Sequence, residues 1–393
     1  MKAKTLKLCL PVIAITVQNN TSWLILSPFL QHLHFPVATI GTLIALSPLL
    51  SLVSRVPTGI VYKKHRARTL ISVAVVMMGV CSFLYSSAEH WLIFAIVHGV
   101  NGFAYGAATT LCMAFYVDSL PSDENRSHAM GYYVGGLAVG YSTGNLLAGY
   151  LADRFGYDVA FYAAASLSLI GLTLIGLIGA PQTEPIARDR SRRPSNLRYR
   201  DALKVLFEPK MAEVVILAVF LNFLNQVGGV FFPLYGLAIG LTLTQLGLIR
   251  AIFTLCNAVT RPISGFIVNR FGHRRLGVAG LSLQSMLMML VPLCTSFASL
   301  LTVSTLTGLM RAVAIVSNAV GLVEDVDETR IQRGIASGLY NAAGDLGNIL
   351  GPVAGGLIAS LTGIAGLFVV APLGSTLLYF PAIWVLNTWR SRE

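Results

Sequence analysis

Long runs of apolar residues follow one another along the whole chain, separated by short polar or basic segments. About twelve of these runs are roughly 18 to 26 residues long, and an α-helix of that length crosses about 30 Å of hydrocarbon. Membrane barrel strands would instead alternate over about ten residues, which excludes a β-barrel. The pattern predicts transmembrane helices near residues 8–30, 38–61, 69–87, 91–116, 128–151, 158–180, 211–235, 243–267, 275–294, 299–322, 333–359 and 364–388.

The composition supports an all-α membrane protein. Hydrophobic residues make up 55% of the 393 residues, charged residues only 11%, and the mean hydropathy is +0.70. Soluble domains carry about 25% charged residues. The five cysteines all lie in apolar spans without a paired spacing, so we expect buried thiols and neither disulfides nor a metal site.

The positive charge is distributed asymmetrically along the chain. A net charge of +11 would suit a nucleic-acid partner, but the 28 Lys and Arg residues concentrate in alternate loops and at both termini. Only Arg154, Arg250 and Arg311 depart from this arrangement. Because basic residues mark cytoplasmic loops, we predict a bacterial inner (plasma) membrane protein with both termini cytoplasmic and no nucleic-acid partner.

The chain repeats itself. Arg55 and Arg261 begin similar segments 206 residues apart, and Arg126 and Arg333 begin glycine-rich segments 207 residues apart. Such a repeat predicts two pseudo-symmetric six-helix bundles, 1–180 and 211–393. Residues 181–210 between them are polar, basic and interrupted by proline, which is typical of a linker. We expect this linker to lie at the cytoplasmic surface, against the anionic lipids of the inner leaflet.

Two motifs resemble those of the major facilitator superfamily. The segment "GFIVNRFGHRR" after the eighth predicted helix is similar to the family's loop signature, with Asn269 in place of the usual acid. The equivalent first-half loop departs further, since Lys63 and Arg66 replace the acid and a glycine. The segment "GNILGPVAGG", 347–356, resembles the glycine-proline motif of the drug and proton antiporters. The resemblance implies the twelve-helix major facilitator fold and transport by alternating access.

The loop signatures and the glycine motifs suggest how the two halves would move. Small residues on one helical face let a neighbouring backbone approach closely, and we assign that role to Gly140, Gly144, Gly347, Gly351 and Gly355. Asp118 and Asp325, 207 residues apart, end two helices at the cytoplasmic surface near Lys64 and Arg68 or near Arg270 and Arg274. The residues assigned to conformational gating are Arg55, Gly59, Asp118, Arg126, Arg261, Gly265, Asn269, Arg270, Gly272, Arg274, Asp325 and Arg333.

Polar residues gather in the middle of four predicted helices, the first, fourth, seventh and tenth. Amides and charges inside a membrane are costly unless they face a cavity or a partner, so they either hold helices together or line a substrate pathway. The resemblance implies that the same four helices line the central cavity. The candidate pathway residues are Asn19, Asn20, His98, Asn101, Tyr105, Asn222, Asn225, Gln226, Arg250 and Arg311.

Asp345 is an acid placed near the middle of a predicted span, and Ala138 occupies the matching site of the first half. Two interpretations remain open. Asp345 forms either a permanent structural ion pair with Arg311, or an intermittent pair whose separation loads and releases a proton. For proton coupling the candidates are Asp345, Arg311 and His98.

The sequence contains no phosphate-binding loop, HExxH metal spacing or nucleophile elbow, so we expect neither an enzyme nor a cofactor. The favoured function is a secondary transporter that exports a small organic solute in exchange for protons. The alternatives are uptake or exchange of an organic anion and, more remotely, a non-transporting sensor or scaffold on the same fold. The expected partners are the substrate, protons and membrane lipids, and the expected state is a monomer.

Overall fold

The computed structural model describes residues 2–120, 126–177, 209–324 and 330–390. The first half contains α1 (Lys2–His32), α2 (Val37–Val61), α3 (Ala67–Leu84), α4 (Trp91–Ser119), α5 (Arg126–Phe155) and α6 (Tyr157–Leu177). The second half begins with α7 (Pro209–Ala238), α8 (Leu243–Phe271), α9 (His273–Met289) and α10 (Phe297–Glu324). Two single-turn 3₁₀ helices, Tyr85–Ser87 and Val291–Leu293, follow α3 and α9.

The last helical segment, Arg330–Arg390, consists of two helices joined at a break. Gly363 has φ of 77° and ψ of 165° there, outside the helical region, and glycine tolerates a positive φ because it has no Cβ. The segment is therefore described as α11 (330–362) and α12 (364–390). The predicted linker, 181–210, lies almost entirely outside the described residues.

The helices agree with the predicted spans. Ten stretches within the described ranges are long and apolar enough to cross a membrane, and one of these, Gly338–Trp384, contains both α11 and α12. The glycine-rich α5 falls outside the ten, so the whole set is consistent with twelve spans. Large apolar side chains on the outer surface, such as Ile60, Phe266 and Leu361, are at least 77% exposed. The protein is an integral, multi-pass membrane protein.

Within each half, the helices pack through small residues. Gly102 of α4 approaches the backbone of Ser47 in α2, and Gly140 and Gly144 of α5 approach α1. In the second half, Gly347 and Gly351 of α11 approach the backbone of α7. All five cysteines are free, and four of them are buried, as expected for thiols in apolar spans.

The two halves touch mainly at the end of the molecule opposite to the chain termini. There, a Cβ on Gly41 of α2 would overlap the Pro352 carbonyl of α11. In the same way, a Cβ on Gly247 of α8 would lie 2.5 Å from the Asn145 carbonyl of α5. At the end that carries the termini, a Cβ on Gly59, Gly131, Gly265 or Gly338 would meet nothing within 4 Å. The bundles therefore diverge towards the terminus-bearing end.

Candidate functional site

Asp345 of α11 pairs with Arg55 of α2, an arginine from the other half of the molecule. The guanidinium Nη2 lies 3.3 Å from the carboxylate Oδ1, and the side chain of Asp345 is 9% exposed, whereas that of Arg55 is 42% exposed. Asn348, one turn along α11, donates a hydrogen bond to the same carboxylate. The predicted permanent pair with Arg311 is wrong, because the Arg311 guanidinium bonds to α7 instead. The intermittent pair stays a prediction.

Arg311 fastens α10 to α7. Its Nη1 donates to the Leu221 carbonyl, and its Nη2 donates to Asn222 Oδ1 at 3.3 Å. The residue is only 7% exposed. Its contacts are neutral acceptors, and within the described residues it has no acidic partner.

Arg261 of α8 lies near Arg311. Its Nη2 donates to Asn257 Oδ1 at 3.0 Å, and Asn257 Nδ2 donates to the Gly308 carbonyl of α10 at 3.2 Å. Gly308 is one turn from Arg311, and the charges of the two arginines are close enough to repel. The Nε of Arg261 is buried without a hydrogen-bond partner. The sequence analysis assigned Arg55 and Arg261 to conformational gating, and the structure places both guanidinium groups in the space between the halves.

Two tyrosines that the sequence analysis did not single out face these arginines. The Tyr141 hydroxyl of α5 lies 2.7 Å from the Tyr105 hydroxyl of α4, and the Tyr141 ring is near both Arg55 and Arg261. Tyr340 of α11 is close to Arg261 and Arg311. In the sequence, only the internal repeat could have pointed to Tyr340, since it matches Tyr133, 207 residues earlier.

Some of the predicted amides of α1 and α7 form contacts between or within helices, and one of them lines a cavity. Asn20 is buried and bonds back to the Thr16 carbonyl at 3.1 Å, whereas Asn19 is half-buried. Asn222 accepts a hydrogen bond from Arg311, and the Cβ of Gln226 packs closely against Gly351. Asn225 lines a small cavity inside the second half.

That cavity lies beside Arg250 of α8. The guanidinium carbon of Arg250 sits 4.8 Å from the centre of the Phe253 ring, an arrangement that stabilises a cation. Polar side chains from α9 and α10 also line the cavity, among them Gln284, Ser304 and Thr307. Arg250 therefore faces the interior of the second half, apart from the space between the halves.

His98 lies in the packed interior of the first half. The residue is fully buried, its Nδ1 is 2.8 Å from the Tyr85 hydroxyl, and its Nε2 is 3.3 Å from the Ile44 carbonyl of α2. The Nε2–H therefore donates to the carbonyl, and Nδ1 accepts from the hydroxyl. Asn101, one turn further along α4, also bonds to Tyr85. The structure separates these two residues from the arginines between the halves.

Several predicted gating residues lie at the terminus-bearing end. Asp118 accepts a hydrogen bond from the Tyr62 hydroxyl at 2.8 Å, whereas Arg68 donates to the Gly176 carbonyl at 2.8 Å. Arg274 pairs with Glu213 at 2.8 Å. Gly272 ends α8 with φ of 84°, Asn269 is exposed, and Arg270 lies over the Phe271 ring. Asp325 and the side chains of Arg126 and Arg333 lie outside the described residues.

The predicted packing glycines lie on two helix contacts. Gly140 and Gly144 face α1, whereas Gly347, Gly351 and Gly355 face α7. At four of the five positions, all except Gly355, a backbone carbonyl oxygen of the neighbouring helix lies within 3.0 Å of where a Cβ would be. At Gly355 the aromatic ring of Phe231 occupies that place.

Solved structures of transporters share this architecture. The chain aligns with the nucleoside transporter NupG with a TM-score of 0.78 and 15% identity, over 98% of this chain and 99% of that one. A bacterial homologue of the human lysosomal transporter Spinster, in an inward-facing and unoccupied conformation, aligns with a TM-score of 0.74 and 13% identity, over 98% and 95%. At these identities the likeness shows the fold alone.

Sequence relatives point to the same family. An MFS-type transporter of Methanocaldococcus jannaschii is 21% identical over 347 residues, 88% of each chain. Multidrug resistance protein 2 of Bacillus subtilis is 22% identical over 377 residues, 90% of each chain. Quinolone resistance protein NorA of Staphylococcus aureus is 31% identical over 130 residues, 33% of each chain. The Major Facilitator Superfamily model matches residues 8–244 and 215–393, and the chain belongs to that family of transporters.

Proposed function

We propose that this protein is a proton-coupled exporter of small organic solutes in the bacterial plasma membrane. The observation that carries the proposal is the Arg55–Asp345 ion pair, which joins the two halves inside the membrane. Protonation of an acid in that position removes its charge and so weakens the contact between the halves. The relatives named for multidrug and quinolone resistance support export of a drug-like solute.

The orientation follows from the basic loops. Both termini lie at the end where the bundles diverge, and basic residues favour the cytoplasmic side. The structure would then be open to the cytoplasm and closed towards the outside. In this conformation an exporter accepts its solute.

The ion pair links protonation to this conformation. A proton on Asp345 removes the negative charge and with it the attraction to Arg55. Loss of the attraction destabilises the inward-open arrangement relative to the outward-open one. A proton antiporter requires this relation between protonation and conformation. Its acid must release a proton in the inward-open state and take one up in the outward-open state.

A second candidate function is uptake or exchange of an organic anion. Arg250, Arg261 and Arg311 favour it, because none of the three has an acidic partner among the residues that the structure describes. In both cases the partners are the solute, membrane lipids and, for export, protons. The working unit is a monomer.

Transport by purified protein in liposomes tests the exporter proposal. The probe is norfloxacin, a fluorescent zwitterion, and the liposomes have an acidic interior so that outward proton flow drives the probe inward. The wild-type protein should accumulate norfloxacin above its equilibrium level, compared with protein-free liposomes. Asp345→Asn should equilibrate the probe at a similar initial rate without accumulating it, because the asparagine cannot exchange a proton.

Two outcomes would contradict the proposal. One is that the wild-type protein shows no response to the pH gradient. The other is that Asp345→Asn accumulates the probe as the wild type does, which would place the coupling group elsewhere in the chain.

A further inference from the structure

The internal repeat relates the positions of Arg55 and Asp345 to two equivalent positions on the other side of the interface between the halves. Arg55 on α2 matches Arg261 on α8, 206 residues later, and Asp345 on α11 matches Ala138 on α5, 207 residues earlier. The equivalent pair would therefore join α8 to α5. At that place the arginine is present and the acid is missing.

The helix contacts on the two sides of the molecule correspond residue by residue. Gly41 of α2 meets Pro352 of α11, and Gly247 of α8 meets Asn145 of α5. Gly247 follows Gly41 by 206 residues, and Pro352 follows Asn145 by 207 residues. The α5–α8 contact thus repeats the geometry of the α2–α11 contact, and it brings Arg261 near Tyr141, three residues after Ala138.

The missing acid leaves positive charge uncompensated. Arg261 and Arg311 are close enough to repel, Arg311 is 7% exposed, and the described residues hold no ion pair for either. Neutral acceptors meet part of their hydrogen-bonding capacity, through Asn257, Leu221 and Asn222. Buried charges of like sign are costly without an anion nearby.

The surroundings offer what an anionic group would need. The Nε of Arg261 is buried without an acceptor, and guanidinium groups bind carboxylate, sulfonate and phosphate oxygens through directed hydrogen bonds. Tyr141 and Tyr340 lie next to these charges. Their rings suit an aromatic body attached to the anionic group.

We propose that Arg261 and Arg311 form the binding site for an anionic group of the transported solute. This group would replace the carboxylate that Asp345 provides in the second half and that is absent at Ala138. This assignment rests on the proposed transport function and narrows its substrate class to organic anions and zwitterions. Both arginines belong to the second half, and the site is distinct from the Arg55–Asp345 pair. The solute would then bind at Arg261 and Arg311, and the Arg55–Asp345 pair would respond to the proton.

Thermal unfolding of the purified protein in detergent, at constant pH and ionic strength, tests this site. The probes are naphthalene-2-carboxylate, naphthalene-2-sulfonate and 2-naphthyl phosphate, with naphthalene-2-carboxamide as the neutral control. At least one of the three anions should raise the Tm of the wild type in a saturable way, and the carboxamide should not. Because Arg261→Gln removes a charged donor to the anionic group, it should weaken the apparent affinity at least tenfold.

A substitution that restores the missing acid makes the test sharper. Ala138→Asp should pair with Arg261 and lower the anion affinity about tenfold or more, whereas the matched neutral variant Ala138→Asn should change it less than about twofold. If Ala138→Asp does not fold, Arg261→Gln decides the question alone.

The proposal is overturned if none of the three anions stabilises the wild type, or if the carboxamide acts equally well. Unchanged anion affinity in Arg261→Gln or in folded Ala138→Asp also overturns it. The assay uses no pH gradient, so its outcome does not require proton-driven transport. Failure of this site and failure of proton coupling would therefore be told apart.

Discussion

Asp345 is buried in α11, and the guanidinium group 3.3 Å from its carboxylate belongs to the other half of the molecule. Removing one member of such a pair leaves the other charge without compensation, so this ion pair between the halves depends on the ionisation of Asp345. Arg311, in contrast, bonds within its own half to α7. We therefore propose different roles for the two residues, proton coupling for Asp345 and binding of an anionic group for Arg311.

Replacing His98 by alanine should destabilise the folded protein. Because both ring nitrogens are bonded in a fully buried site, His98→Ala removes the donor to the Ile44 carbonyl and one of the two partners of the Tyr85 hydroxyl. We expect a loss of about 2 to 3 kcal/mol of stability, seen as a lower Tm. The exposed-site control His65→Ala should leave the Tm nearly unchanged. A Tm for His98→Ala equal to that of the control would contradict the structural role.

The sequence predicted which residues are polar inside the membrane better than it predicted their partners. Asp345, Arg311 and His98 were recognisable because a charged or titratable group in an apolar run is rare. Their contacts depend on the rotation of each helix and on the crossing of helices from different halves, which the spacing along one helix does not specify. Tyr141 was missed for the same reason, since a tyrosine in a glycine-rich helix is also compatible with lipid contact.

At the scale of the helices, two pairs decide how the halves meet. Helices α2 and α11 touch at Gly41 and Pro352, and α5 and α8 touch at Asn145 and Gly247. Glycine allows this approach because a larger residue would place its Cβ against a backbone carbonyl. Both contacts lie at the closed end, whereas at the open end a Cβ on Gly59, Gly131, Gly265 or Gly338 would meet nothing within 4 Å.

Enlarging a glycine at the closed end should therefore shift the protein away from the observed conformation. Overpacking costs about 1 to 3 kcal/mol, so Gly41→Leu should raise the population of the opposite conformation by roughly tenfold. The measurement is the labelling rate of Asn145→Cys, a site only 5% exposed, by a water-soluble maleimide. Gly59→Leu, at the open end of the same helix, is the matched control. Equal labelling rates in both variants would mean that the Gly41 contact does not hold the closed end together.

The helices themselves were predictable from the sequence, because an apolar run long enough to cross the membrane satisfies its backbone hydrogen bonds internally. The least apolar one, α5, was identified by its repeat with α11 as well as by its composition. The near-continuous course of α11 and α12 was not predicted. It depends on the positive φ of Gly363, and a sequence shows only that a glycine is present.

At the scale of the whole molecule, the halves are held together by the packed closed end and by the Arg55–Asp345 ion pair deeper in the membrane. The glycine contacts do not depend on pH, whereas the ion pair depends on the charge of Asp345. The proposed cycle follows from this difference, because protonation weakens the pair and leaves the intrinsic packing of each half intact. Alternating access would then be a rigid-body movement of the two bundles.

The distance between the open ends of α2 and α11 tests this account most directly. Spin labels at Gly59→Cys and Gly338→Cys, where added side chains meet open space, would report it by pulsed electron spin resonance in a background without reactive cysteines. As the pH falls, the distances should shift from long to short, because protonated Asp345 no longer attracts Arg55. Asp345→Asn should show the short-distance population at every pH. A distance distribution independent of pH, or one that titrates equally in Asp345→Asn, would contradict the proposed coupling.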